Sequence, residues 1–376
     1  MHSYRYYYLP LLLILTTLSG KAQSIAILTD TSSNTKTIKG VIPAPVVYYT
    51  PNTGFAIGAN ILGYLKLKSK TDTTYTRLSV ARLFADYTWN KQTYQWLSWN
   101  IFTRDEKFLL RGELRNRIYR DRFYGIGNVS QDEDEEIFWY NYVSARIAGL
   151  KSLGRHVFFG PDFQIENYYN IKLDSLDAQR DSQLRANQIP GYKGGINSGL
   201  GAIFLIDARN NVAFPSKGYY LELSAYHFGS TFGGDFDYNN YNFIFSSYYE
   251  LKPDHVLGTN TVLNLNSGNV PVQRLATSGG ERILRSYARN RFFDDHFAGT
   301  QAEYRFPLFR KVGMVAFAGV GDVFDKPSDI SLSTLKYSIG TGFRYSVLPQ
   351  EKLNSRLDIG LGREGIAVFV GIGEAF

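Results

Sequence analysis

Cysteine is absent from this 376-residue chain, so neither a disulfide framework nor thiolate chemistry organises it. Histidine is scarce. His156 and His255 fall in predicted short turns, His227 shares parity with the apolar Leu221 and Leu223, and His296 ends a long connection beside Asp294 and Asp295; His2 lies at the start of the chain. No Ser-His-Asp set, HExxH helix or phosphate-cradling glycine loop accompanies them, so no catalytic residue, metal or cofactor is expected. Long apolar runs are missing too. Only Leu9–Leu18 is continuous, and it is too short to span a bilayer as a helix. Although the formal charge is +7, no compact Lys/Arg block stands out, which argues against nucleic acid as a partner.

What the chain does contain is aromatic side chains at 15 % and 35 glycines, with a mean hydropathy of only -0.23. Turn residues recur at short intervals. Many aromatic-rich strands without long apolar runs fit a transmembrane β-barrel, whose lumen-facing residues are polar and dilute the hydropathy. The start of the chain fits export. His2 and Arg5 precede the Leu9–Leu18 run, and small residues at Gly20 and Ala22 suggest a signal peptide over 1–22 cleaved before Gln23. Residues 23–44 read as a short periplasmic lead-in and 45–376 as the barrel.

The alternation is clearest from Phe108 to Tyr119. Phe108, Leu110, Gly112, Leu114 and Ile118 alternate with Arg111, Glu113, Arg115 and Arg117. An unpaired charge facing hydrocarbon costs roughly 2–4 kcal/mol near the midplane, so the charged face must line the lumen and the apolar face must meet lipid. A one-residue slip would invert both. Trp89, Trp96 and Trp99 are expected in interfacial girdles. Counting strands from Pro45–Thr50 to Ile366–Phe376 predicts an all-β, sixteen-stranded antiparallel barrel, with one parity placing short turns in the periplasm. Long segments, chief among them Gly268 to Phe297, fall outside. The alternation of Ile366, Val368, Val370, Ile372 and Phe376 with smaller residues predicts a last strand that runs to the final aromatic.

Four segments carry a resemblance. Asp207-Ala-Arg209-Asn210 with Pro215-Ser-Lys-Gly218 forms one motif, and Gly279-Gly280 with Leu284-Arg285-Ser286-Tyr287 a second. A third is Ala302-Glu303-Tyr304-Arg305-Phe306-Pro307 followed by Phe317-Ala-Gly319-Val-Gly321-Asp322. The last is Arg356-Leu-Asp358-Ile-Gly360-Leu-Gly362 with the terminal Phe376. In this order and spacing they resemble the barrel of the BamA/TamA superfamily, also called the bacterial surface antigen family. The resemblance implies a long loop folded into the lumen, Arg285 paired with Glu303 on the wall, and Phe376 as an assembly signal. Asp207 and Arg209 at their turn would serve folding. The chain departs from the family in having Gly319 where an aspartate is usual and Ser286 where a glycine is usual, so one anionic partner of Arg285 is expected to be missing. Between Ala22 and Val46 there is no room for a POTRA domain, so a barrel-only member is expected.

Outer-membrane localisation, lipid as the surrounding partner, and a monomer follow from this picture, with periplasmic assembly factors or client proteins as candidate partners. Three functions compete. One is insertion or translocation of protein or lipid, helped by a weak seam between the first and last strands. The second is a passive pore or uptake channel using Arg111, Glu113, Arg115, Arg117, Glu166, Arg344, Arg356 and Asp358, with a structural surface antigen as a further alternative. Enzymatic activity is disfavoured.

Overall fold

A computed structural model describes residues 37–50, 53–68, 76–173, 183, 184, 186, 189–212, 214–348 and 353–376. The predicted signal peptide, its cleavage point and most of the lead-in lie outside these residues. The wall comprises β1 (Ile38–Thr50), β2 (Gly54–Lys66), β3 (Ser79–Thr88), β4 (Thr93–Phe102), β5 (Phe108–Phe123), β6 (Glu136–Gly154) and β7 (Val157–Leu173). It continues through β8 (Gly195–Asp207), β9 (Gly218–Phe228), β10 (Tyr238–Lys252) and β11 (His255–Gly268). After a long connection come β14 (His296–Phe309), β15 (Val312–Phe324), β16 (Lys336–Leu348), β17 (Leu353–Gly362) and β18 (Gly365–Ile372). These form one sheet of 16 strands in sequence order, each pair described being antiparallel. Two further strands, β12 (Ala276–Ser278) and β13 (Phe292–Asp294), pair with each other inside the connection.

The alternation sets the register. Leu110, Leu114 and Ile118 on β5 are 44, 44 and 41 % exposed, while the alternate Arg111, Glu113 and Arg115 enter ion pairs inside. Arg111 meets Glu222 at 2.8 Å and Arg115 meets Glu113 at 2.6 Å. About 9–11 tilted residues cross the hydrocarbon, so β6 with 19 residues and β7 with 17 rise well beyond it. They do so at the end carrying the long connections.

Four expectations need correction. First, β1 begins at Ile38, not at Pro45, and pairs with β2 continuously from Ile38↔Lys66 to Thr50↔Gly54. Proline cannot donate to a ladder and is tolerated where its nitrogen faces away from the partner, so Pro43 and Pro45 sit within a full-length edge strand. Second, Trp96 is not a girdle residue. It lies opposite Arg115, and its indole N–H donates to Glu113 at 3.1 Å, on the lumen face. Third, the lumen is not uniformly polar. Phe102, Leu109, Ala148, Leu150, Phe158, Ile203 and Leu205 form one buried cluster. Two others form where the long connection packs against the wall. Fourth, the last strand stops at Ile372, and the four residues that follow leave the wall.

Candidate functional site

The connection between β11 and β14 folds back as a hairpin held by β12 and β13. Its turn needs glycine. Gly279 and Gly280 have φ of +94° and +116°, a region that L side chains rarely adopt, and a Cβ at Gly279 would lie 2.2 Å from the Ala288 carbonyl. The Gly280 N–H then donates to the Tyr287 carbonyl at 3.1 Å. Leu284, Tyr287 and Phe292 pack with Ala276, Phe297 and Val323. The Tyr287 hydroxyl accepts from the Arg363 N–H at 3.2 Å. This apolar collar fixes the segment from which Arg285 projects.

Arg285 is fully buried. Its guanidinium lies 2.7 Å from Glu303 on β14 and 3.0 Å from Asp358 on β17, and 3.6 Å from the centre of the Phe317 ring. The carboxylates serve other cations as well. Glu303 also accepts from Arg305 at 2.7 Å, and Asp358 from Arg344 at 2.5 Å and Arg356 at 3.4 Å. Glu374, beyond β18, pairs with Arg344 at 2.7 Å. Four arginines thus share three carboxylates. Arg344 and Arg356 stand directly opposite each other across β16 and β17, a repulsive placement that Asp358 between them relieves. Such a cluster holds a defined geometry because losing any one member leaves its partners buried and undercompensated.

The second anion for Arg285 therefore exists, but it comes from β17. Gly319 faces Gln301 instead, with its virtual Cβ 2.9 Å from the Gln301 Cβ. The position beside the guanidinium on β15 is taken by Phe317, whose ring face attracts a cation. Asp322 stands at the far end of the wall, 2.7 Å from Lys336. The strip on β17 also explains Ser286. A Cβ on Gly360 would lie 2.0 Å from the Arg285 carbonyl oxygen, and one on Gly362 would lie 2.4 Å from the Ser286 hydroxyl oxygen. Two bare positions on the wall let the loop backbone lie flat there, and the room at Gly362 accommodates the serine.

Two further loop arginines were not anticipated from the sequence. Arg274 reaches the other wall, donating to Glu166 on β7 at 2.5 Å and to Gln164 at 3.1 Å, with its guanidinium 4.8 Å from the Phe228 ring. Arg291 pairs with Glu364 at 2.7 Å and donates to the Ser130 carbonyl at 3.0 Å. The only sequence signal was the number of cations in one apolar connection; their partners are 108 and more residues away in the Arg274 case. The connection is thus a bridge anchored on both sides. Replacing Arg274 with Ala is expected to free the β7 side alone. Protease cleavage should then rise near Val270–Leu275, while the segment around Arg285 stays protected. Cleavage throughout the connection, or none, would contradict independent anchoring.

At the opposite end, Asp207 accepts two hydrogen bonds from Arg209, at 2.8 and 2.9 Å, a fork geometry that suits guanidinium and carboxylate. Arg77 adds a third contact at 3.4 Å. Asn210 caps the turn by accepting from the Ser216 and Lys217 N–H groups. Gly218, with φ of +93°, has no space for a Cβ beside the Ala208 carbonyl. The Pro215 carbonyl accepts from Arg305 at 3.2 Å. This turn therefore touches the lumen cluster through one arginine. Phe376 is not on the lipid-facing edge of a strand. It is drawn into the lumen, with its carbonyl group accepting from Arg305 at 3.0 Å.

A model described as the Omp85 superfamily domain matches residues 63–350. The chain belongs to the Omp85 superfamily. Among solved structures it is similar to BamA from Haemophilus ducreyi lacking POTRA domains 1-3, at 14 % identity, 89 % coverage of this chain, 69 % of that chain and a TM-score of 0.59. It is also similar to CdiB from Acinetobacter baumannii, at 10 % identity with 89 % and 59 % coverage and a TM-score of 0.52. At those identities the likeness is one of fold. No curated protein matches it. The chain is an outer-membrane β-barrel of the Omp85 type, and the hairpin carrying Arg285 is a feature of its lumen.

Proposed function

We propose that this Omp85 barrel assists insertion or translocation of protein or lipid at the outer membrane and is not an open solute channel. The observation that carries the reading is the buried Arg285–Glu303–Asp358 cluster, which ties an apolar loop across the lumen where a pore would need water. Seven of the eight charges considered for solute selection are consumed in pairs: Arg111 with Glu222, Arg115 with Glu113, Glu166 with Arg274, and Arg344 and Arg356 with Asp358; the eighth, Arg117, has its guanidinium 4.3 Å from the centre of the Tyr119 ring. Paired charges fill a lumen; selectivity needs them exposed to the ion path.

The seam supplies the means. Among the described residues no ladder joins β1 to β18, which are the two ends of the sheet order. Pro43 and Pro45 remove donors from the free edge of β1, and β18 has only 8 residues. A sheet edge with few available donors makes a weak closure, and a weak closure next to lipid favours lateral opening. The orientation that fits places the short-turn end in the periplasm and the loop end outside.

The direct test measures how fast an unfolded small outer-membrane barrel folds into preformed lipid vesicles with and without this protein. An acceleration of at least several-fold is expected, and it should vanish when the seam is closed by a disulfide engineered between β1 and β18. No acceleration, together with large stable ion-selective steps in planar bilayers, would sink the proposal in favour of a pore.

A further inference from the structure

The residues after β18 make a compact set of contacts. Gly373 has φ of +84°, and its N–H donates to the Asn354 carbonyl at 2.8 Å, after which the chain turns inward. Glu374, with a side chain 2 % exposed, takes the Arg344 Nε at 2.7 Å on one oxygen and the Asn354 amide at 3.0 Å on the other. Ala375 is buried. The Phe376 ring lies 6.2 Å from the Tyr248 ring, nearly parallel to it at 28°, with the Arg305 guanidinium 5.5 Å from its centre. The floor under the ring is Gly258, where a Cβ would come within 3.2 Å of it. The three residues thus cross the short-turn end of the lumen, from β17 to β10 and β11.

Each contact reads a different feature of the segment. Arg344 and Asn354 read a carboxylate, the enclosed position of Ala375 demands a small side chain, and Tyr248, Gly258 and Arg305 read an aromatic ring. Arg305 also holds the Phe376 carbonyl. None of these groups lies on β18 itself, so the seat exists on the wall whether or not the segment fills it. The segment enters after a glycine that breaks the strand, and each contact described above for residues 374–376 involves a side chain.

We propose that this seat is a binding cleft for an acidic–small–aromatic peptide segment, and that residues 374–376 occupy it in cis as a displaceable plug of the short-turn mouth. Arg305 and Arg344 also contact Glu303, at 2.7 and 3.7 Å. The plug and the loop bridge therefore meet at the same two cations, and a peptide that displaces the plug enters directly beneath the Arg285 cluster. The cleft stands on these contacts and does not depend on what the barrel carries.

The probe is a fluorescent synthetic peptide of residues 371–376. The full chain carrying both Glu374→Gln and Phe376→Ala, in mild detergent, is expected to bind it. The unaltered chain should bind at least tenfold more weakly because its own segment competes. Peptides with Gln for the glutamate or Ala for the phenylalanine should each lose at least tenfold. Absence of binding to the folded double variant, or binding indifferent to both changes, overturns the proposal. If the double variant fails to fold, Ala375→Cys in the otherwise intact chain gives a second measure, since no other thiol is present. Its reaction with a water-soluble maleimide should be at least tenfold slower than that of Lys252→Cys, an exposed position at the same end, and should speed up when excess unlabelled peptide is added. Equal rates, or a slow rate that the peptide does not change, would refute a displaceable plug.

Discussion

Replacing Arg285 with Ala should release the lumen loop while leaving the barrel wall intact. The side chain is fully buried and bridges two carboxylates on different strands, and removing one partner from such a buried set costs about 3–5 kcal/mol. The lower end applies, because Glu303 keeps Arg305 and Asp358 keeps Arg344 and Arg356. At about 1.4 kcal/mol per decade, even that lower end shifts the docked-to-free ratio of the loop by roughly a hundredfold. The expected readouts are protease cleavage between Gly279 and Arg291, larger and noisier steps in planar bilayers, and sensitivity of cells to bulky antibiotics. The heat-modifiable migration of the folded barrel should be unchanged. A variant with the protease resistance and conductance of the parent would show that the cluster does not hold the loop.

Gly360→Ala should give the same phenotype without touching a charge. The added carbon would sit 2.0 Å from the Arg285 carbonyl oxygen and 2.7 Å from its carbon, well inside van der Waals contact, and both atoms belong to backbone that cannot rotate away. The loop must lift from β17, which pulls the guanidinium from Asp358. Gly149→Ala on β6 is the matched control, since nothing lies within 4 Å of that virtual Cβ. The pair separates two explanations of docking. If charge attraction alone positions the loop, Gly360→Ala behaves like Gly149→Ala; if the bare strip on β17 is required, only Gly360→Ala opens the lumen. Trypsin sensitivity of the loop in intact outer-membrane vesicles decides between them.

These two positions also mark where reading the chain in one dimension stops. The wall strands were legible because a bilayer imposes a period-2 pattern with a large penalty for error, so Leu110, Leu114 and Ile118 separate cleanly from Arg111, Glu113 and Arg115. The loop arginine and Glu303 were legible through their motifs and the parity of one neighbouring strand. Asp358 was read as a lumen charge but not as a partner of Arg285, since it lies 73 residues from Arg285 and only the folding of β14 to β17 around the loop brings the two together. Trp96 was misplaced for a related reason. Aromatic character alone fits both a girdle and a lumen wall, and its face follows from the register that puts it opposite Arg115.

The end of the chain is the sharpest case. From Ile366 to Phe376 the even positions are mostly large and apolar and the odd ones mostly small, and a strand is the locally consistent answer. Gly373 permits a left-handed backbone but does not require one. What draws Glu374 and Phe376 inward is a cation pair and an aromatic seat on strands β10, β14 and β16. By itself, then, the sequence determined the period, the number of membrane-crossing strands and the faces they show to lipid, because those depend on each residue and the solvent it meets. Which buried charges neighbour one another, and where the last residues rest, was decided by tertiary structure, because those energies belong to pairs of groups that only the folded wall places within a few ångströms.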